Sequence, residues 1–338
     1  MSKRILIIGA GGFIGGHIAE ESLKRGYDTW CGVRSSTSRR YLSDERLHFI
    51  EFDYDDEQSI KDSLFSALDE GEKWDYVIYN LGATKCTNFS DFNKINYQYL
   101  RSFATSLIET SKVPERFLFM SSLSALGPGD EVNYTPMTSR DIPQPNTRYG
   151  VSKIKAETFL ETTTDFPWII FRPTGVYGPH EQDYLMMIKS IDTHWDFGVG
   201  FRKQMLTFIY VDDLVNAMFD VLEASDVVIR KKYIISEDRA YTQAEFRKIV
   251  AETLGTKWVI PVRLPLWLTY VASFVAEKWG LIKMQPSTLN RDKFKIMKQR
   301  NWSCDISDAQ RDFGFTPQFT LREGIARTVQ SYLNEKSK

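Results

Sequence analysis

Ile5-Leu6-Ile7-Ile8-Gly9-Ala10-Gly11-Gly12-Phe13-Ile14-Gly15-Gly16 lies near the start of the chain and decides its fold. Four consecutive aliphatic residues read as a strand buried on both faces, and glycines break the run before a helical pattern begins at Ile14. Gly9, Gly12 and Gly15 permit a tight turn and a close approach of backbone to phosphate, and the helix start offers free N–H groups and the positive end of its dipole. Between a strand and a helix, this pattern points to a dinucleotide pyrophosphate, with Phe13 and Ile14 beside it at the helix start. Lys3 and Arg4 before an apolar run are not read as a secretory leader, because the glycines interrupt that run at once.

The alternation continues outward. Strands are expected at Arg4–Ile8, Asp28–Val33, Leu47–Phe52, Tyr76–Tyr79, Phe117–Ser121 and Trp168–Phe171, and helices at Ile14–Arg25, Ser59–Asp69, Phe92–Ser111 and Tyr149–Thr163. Short β-branched or aromatic runs separated by helices predict an α/β fold, a doubly wound parallel Rossmann sheet with helices on both faces. After Pro173 the segments shorten and are broken by Gly178, Pro179, Gly198 and Gly200. Thr207–Val211, a helix over Asp212–Ala224 and Lys232–Ser236 read as pieces returning to the first sheet. The expected division is 1–175 plus about 206–236 as the dinucleotide-binding domain, and 176–205 with 237–338 as a smaller, mainly helical substrate lobe.

Bulk properties exclude several classes. With 338 residues, 42% apolar and 26% charged residues and a formal net charge of −1, the chain is an ordinary globular one with no basic face for nucleic acid. Cys31, Cys86 and Cys304 are far apart and odd in number, which favours neither a disulfide framework nor a zinc site and fits a reducing, cytoplasmic setting. His17, His48, His180 and His194 are too scattered to suggest a metal. The apolar stretch Leu264–Ala276 would span about 20 Å as a helix, short of the roughly 30 Å hydrocarbon core. It reads as a buried helix, or, if exposed, as a face that rests on a membrane surface.

The end of the second strand bears on the choice of dinucleotide. An acid there would accept from a ribose 2′-hydroxyl and repel a 2′-phosphate. Val33-Arg34 stands there instead, with Ser35, Ser36 and Arg39 nearby, so NADP(H) is favoured over NAD(H). Asp53, after the third strand, is placed either for the adenine amino group or as a cap for the 55–59 region. Leu81, Gly82 and Ala83, after the fourth strand, offer small residues where backbone would pass the nicotinamide ribose.

The chemistry lies in Tyr149-Gly150-Val151-Ser152-Lys153, which sets a phenol and an ammonium four residues apart on one helical face. That spacing would let Lys153 lower the phenol's pKa from about 10 toward neutrality. Ser122, after the fifth strand, could hold a carbonyl or alcohol oxygen against the phenol.

Taken with Asn96, Arg172-Pro173-Thr174-Gly175-Val176-Tyr177-Gly178-Pro179 and Phe208-Ile209-Tyr210-Val211-Asp212-Asp213, these residues make the chain resemble the extended short-chain dehydrogenases/reductases, the NAD-dependent epimerase/dehydratase group. The resemblance implies an enzyme in which Tyr149 is the acid/base, Lys153 binds the nicotinamide ribose, Ser122 polarises the substrate oxygen, and Pro173 to Val176 line the carboxamide. It also suggests a homodimer paired through the 92–111 and 149–163 helices.

Departures from the group narrow the chemistry. Leu123-Ser124 stands where nucleotide-sugar dehydratases of the group carry Asp-Glu, and Leu206-Thr207 stands where sugar-nucleotide epimerases carry an arginine, although Arg202 or Lys203 could substitute. Ile260 to Pro286, Trp302–Ser307 and Phe313–Pro317 resemble the 3β-hydroxysteroid and sterol-carboxylate dehydrogenase branch, and Val33-Arg34 the dihydroflavonol and cinnamoyl-CoA reductase branch. The expectation is an oxidoreductase that interconverts a ketone and a secondary alcohol on a small, sterol-, sphingoid- or polyketide-like molecule. A sugar-nucleotide epimerase and a non-catalytic dinucleotide sensor are the alternatives. Ser124, Tyr177, His180, Tyr184 and Met186 are the candidate substrate contacts.

Overall fold

The computed structural model describes residues 2–336 apart from 284, 286 and 288, so Pro286 and residues 337–338 of the expected substrate lobe lie outside the described residues. In chain order the first half runs β1 (Arg4–Ile8), α1 (Phe13–Lys24), β2 (Asp28–Val33), β3 (His48–Glu51), α2 (Glu57–Ala67), β4 (Tyr76–Tyr79), α3 (Phe89–Asn93), a π-helical turn (Lys94–Gln98), α4 (Tyr99–Glu109), β5 (Arg116–Met120), α5 (Arg148–Thr162) and β6 (Trp168–Pro173). The second half runs β7 (Gly175–Tyr177), α6 (Gln182–Asp192), β8 (Trp195–Val199), β9 (Met205–Tyr210), α7 (Val211–Glu223), β10 (Lys231–Ile235), β11 (Ala240–Thr242), α8 (Gln243–Leu254), β12 (Ile260–Leu264), α9 (Leu266–Ile282), α10 (Arg291–Lys298), α11 (Ser307–Phe313) and α12 (Leu321–Lys336).

Seven strands form one parallel sheet in the order β10-β6-β5-β4-β1-β2-β3. Strand order reverses at β1, and that is where a doubly wound sheet opens the crevice that takes a ligand. Alternation along β1 divides the core: Ile5 and Ile7 pack with α1 and α7, and Leu6 and Ile8 with α2, α4 and α5. Both faces are covered, which is why β1, β4, β5 and β6 read as unbroken apolar runs.

One expectation is corrected here. Of the strands expected to return to the first sheet only β10 does so, pairing with β6 from Lys231↔Ile169 to Ile235↔Pro173, while the helix between them, α7, packs on α1 and β5. Strand β9 instead lies between β7 and β11 in a separate three-stranded sheet. A run such as Thr207–Val211 has the composition of a buried strand in either sheet, so composition does not choose its partner. The C-terminal part is mainly helical, and its strand β12 pairs in parallel with β8.

Candidate active site

The glycine turn is built as its spacing requires. Gly9 has a φ of +83°, and a Cβ there would lie 2.9 Å from Leu81 N, so the end of β1 packs backbone to backbone on the loop after β4. A Cβ on Gly15 would collide with the Gly9 carbonyl. Gly12 caps α1 without a side chain, so Phe13, Ile14 and Gly15 begin a helix whose first N–H groups no side chain claims. This cradle fits a dinucleotide pyrophosphate.

The loop after β2 closes toward that turn. Thr37 packs on Gly11 and accepts from Arg34 N at 2.9 Å, and Tyr41 lies against Gly16. Arg34 is exposed, while Arg39 lies over the Phe49 ring with its guanidinium carbon 4.3 Å from the centroid. Asp53 is exposed and accepts from Asp55 N at 3.0 Å. The cap of α2 is Asp56, which accepts from Gln58 N and Ser59 N, so the capping role considered for Asp53 belongs three residues later.

Around the candidate catalytic residues the chain is tightly tied. The π-helical turn before α4 holds Asn96 inward, where its Oδ1 accepts from Ala83 N at 2.7 Å and its Nδ2 donates to Ala83 O and to Ser152 Oγ. Ser152 Oγ in turn donates to the Tyr149 carbonyl at 2.7 Å. Thr147 caps α5 by accepting from Gly150 N, which fixes where Tyr149 leaves the helix. Lys153 is buried; its Nζ donates to Met120 O at 2.8 Å and lies 5.9 Å from the Tyr149 ring centroid. A Cβ on Gly82 would stand 3.0 Å from that Nζ and 3.1 Å from Asn96 Oδ1, so only glycine leaves both groups their present positions without strain.

Burial pushes the Tyr149 phenol up to about 12, partly offset by a hydrogen bond with Ser122. It draws the Lys153 ammonium down to about 7, against the attraction of Glu157. The phenol thus lies above its ordinary value rather than below it, because its desolvation outweighs the hydrogen bond with Ser122. Ser122 caps the short helical turn that follows β5, and its Oγ accepts from Ser124 N at 3.2 Å. Ser122, Tyr149 and Lys153 thus converge from two elements.

The chain matches the NAD dependent epimerase/dehydratase family over residues 5–236. It belongs to that family. The UDP-glucose 4-epimerase of Vibrio cholerae is 25% identical over 352 aligned positions, covering 100% of this chain and 98% of that protein. The decarboxylating sterol-4-alpha-carboxylate 3-dehydrogenase of Mus musculus is 23% identical, covering 98% of this chain and 91% of that one. A UDP-glucose 4-epimerase of Thermotoga maritima, solved with UDP-glucose, superposes with a TM-score of 0.78 at 21% identity, covering 98% of this chain and 99% of its own, a likeness of fold.

For an epimerase/dehydratase chain, the C-terminal side of β6 is the informative remainder. Pro173 ends β6, Val176 lies in β7 opposite Ile209, and Thr174 Oγ1 is buried with no hydrogen-bond partner among the described residues. An orphaned buried hydroxyl is costly unless a ligand completes it, and an amide or ribose group would do so. Tyr184 places its hydroxyl on Gly175 and so flanks this region, whereas Ser124 places its carbonyl on Gly150, beside the first turn of α5. Met186 is half exposed on α6.

Two substrate candidates are corrected. Tyr177 is fully buried among Tyr184, Phe208 and Tyr210, with its hydroxyl against Gly324, so it is core. His180 has a φ of +75°, packs its ring tilted against Tyr41 at 4.4 Å between centroids and lies 6.3 Å from His17, which sets it near the start of α1 on the cofactor side. Both belong to a glycine- and proline-broken segment whose direction the sequence leaves open.

Glu157 was missed altogether. Fully buried, it pairs with the equally buried Arg172 at 2.5 Å and accepts from Ser121 Oγ. Arg172 also donates to Ser139 O. The available signal was its place four residues after Lys153, one turn along the same face.

Proposed function

We propose that this protein is a hydride-transferring oxidoreductase, preferring NADP(H), that interconverts a ketone and a secondary alcohol on a small substrate with an apolar body. The observation that carries the reading is the convergence of Ser122 and Tyr149 over the buried Lys153. A nicotinamide dinucleotide, when bound, supplies or accepts the hydride. Ser122 Oγ orients the substrate oxygen, and Tyr149 Oη gives it a proton in the reductive direction and recovers that proton in the oxidative one. Lys153, its ammonium drawn down by burial, holds the ribose edge and, when protonated, favours the phenolate as the proton leaves. Asn96 acts as a positioning residue, because it pins Ala83 and, through Ser152, the first turn of α5. The proposed lobes are 1–175 with about 206–236 for the dinucleotide, and the remainder for substrate.

Supporting NADP(H) are the exposed Arg34 and the absence of a carboxylate at Val33. Leu206-Thr207 supports an apolar substrate, since Thr207 Oγ1 is spent on Trp302 O rather than offered to a diphosphate. The relation to a sterol dehydrogenase along nearly the whole chain points the same way.

The second reading is a sugar-nucleotide epimerase, favoured by the full-length relation to the Vibrio enzyme. Incubation with NADPH and separate panels of apolar ketones and UDP-sugars separates the two. Net consumption of NADPH with a ketone supports the reductase; epimerised sugar with no net consumption replaces it by the epimerase.

A further inference from the structure

Helix α9 is inverted relative to an ordinary surface helix. Its buried residues are Thr269, Ser273 and Gly280, while Trp267, Val275, Trp279 and Ile282 are 69%, 57%, 59% and 75% exposed. At 3.6 residues per turn the exposed large apolar side chains sweep an arc of about 220°, in which the charges are Glu277 near one edge and Lys278 near the middle. A helix at the surface of a globular protein turns such a stripe toward the core. Here the polar side is fastened instead: Glu277 binds Arg291 at 2.8 Å and Arg148 at 3.5 Å. The expectation of a buried helix over 264–276 is therefore overturned.

The apolar surface extends beyond the helix. Trp195 and Phe197, at alternate exposed positions of β8, stack 6.2 Å apart, and Phe201 is 75% exposed next to Gly200, which abuts Leu266. Contiguous exposed apolar area on this scale marks an interaction surface. By contrast, α4 and α5 expose Ile108 and Val151 as isolated large apolar residues.

Charge identifies the occupant. Lys278 and Lys283 stand 5.7 and 5.2 Å from the ring centroids of Phe274 and Trp279. Packed on α9, α10 contributes Lys295 and Lys298, which share a cavity of about 230 Å³ with Arg148 and Tyr270. A flat protein partner or a second copy covers about half of a helix circumference, whereas acyl chains wrap a wider arc and aromatic rings settle at the headgroup level. Lys283, at the border of the arc, and Lys295 and Lys298 on α10 have stems long enough to reach back to phosphate. No helix among the described residues is long and apolar enough to cross a membrane. We propose that α9, with the 195–201 segment, lies in the plane of an anionic phospholipid surface, its apolar arc among the acyl chains and Lys283 with the α10 lysines on the phosphates. Asp292, at the start of α10, accepts from Arg148 N and Tyr149 N, so the docked face adjoins the candidate catalytic turn. The inference stands independently of the proposed reaction.

The test is co-flotation of the full chain with phosphatidylcholine vesicles, with and without phosphatidylserine, for wild type, Trp267→Asp/Val275→Asp and Lys283→Glu/Lys298→Glu. Wild type should float with the phosphatidylserine vesicles, and the aspartate variant should bind them at least about tenfold more weakly with an unchanged melting temperature and dinucleotide affinity. The glutamate variant should lose mainly the preference for phosphatidylserine. No flotation at low salt overturns the proposal, as does equal binding by the aspartate variant. A wild-type dimer that the aspartate variant converts to monomer, without vesicle binding by either, assigns the face to a second copy.

Discussion

The side-chain amide of Asn96 satisfies both backbone groups of Ala83, accepting from its N–H at 2.7 Å and donating to its carbonyl at 3.0 Å. The pair ties the π-helical turn before α4 to the loop after β4, and Ser152 extends the tie to α5. Such turns interrupt a helix at some cost in regularity, and they persist where the widened turn aims a side chain.

Asn96→Ala leaves the half-buried N–H and carbonyl of Ala83 without their partner. We expect a stability loss of about 1–3 kcal/mol by denaturant titration, and a fall in kcat of about tenfold or more as the catalytic turn loosens. A drop in stability with unchanged kcat would make the residue structural only.

Gly82→Ala addresses the same loop from the other side. Its Cβ would press on Lys153 Nζ and Asn96 Oδ1, at 3.0 and 3.1 Å. Dinucleotide affinity, read by fluorescence titration, should fall about tenfold or more while circular dichroism stays unchanged.

Lys153 carries a pH-dependent stability penalty. Its folded pKa of about 7 lies below the unfolded value of 10.5, so between these the unfolded chain binds more protons and stability rises with pH. The penalty is complete below about pH 7 and absent above about pH 10.5. Lys153→Met removes it at the expense of the bond to Met120 O. The ligand-free variant should be more stable than wild type by about 1–3 kcal/mol near neutrality, with the gain shrinking toward pH 10, and it should be inactive. Thermal melts across this range provide the check.

Much of this was legible in the sequence because it depends on local spacing. The glycine turn, the four-residue separation of Tyr149 and Lys153 along α5, and the apolar runs of β1, β4, β5 and β6 each determine their structure within a few residues. The partners of β9, the Glu157–Arg172 pair and the burial of Tyr177 depend on contacts between distant segments, which no local period records. Helix α9 misled for a related reason: an apolar composition normally means burial, and the side facing the body is decided by Thr269, Ser273, Gly280 and the Glu277–Arg291 pair. The pKa of Tyr149 escaped the spacing argument because desolvation depends on the whole enclosure rather than on Lys153.

Arg34→Ala tests the cofactor preference. Without that guanidinium, NADPH affinity should fall about tenfold while NADH affinity changes little. Equal loss for both dinucleotides would remove the 2′-phosphate from its role.

The central claim, that Tyr149 exchanges the proton during hydride transfer, is tested most directly by Tyr149→Phe. In one preparation, NADPH affinity is measured by fluorescence titration and turnover by nicotinamide absorbance with a ketone that wild type reduces. The account predicts near wild-type affinity with turnover reduced by about a hundredfold or more. Unchanged turnover in this variant would contradict it.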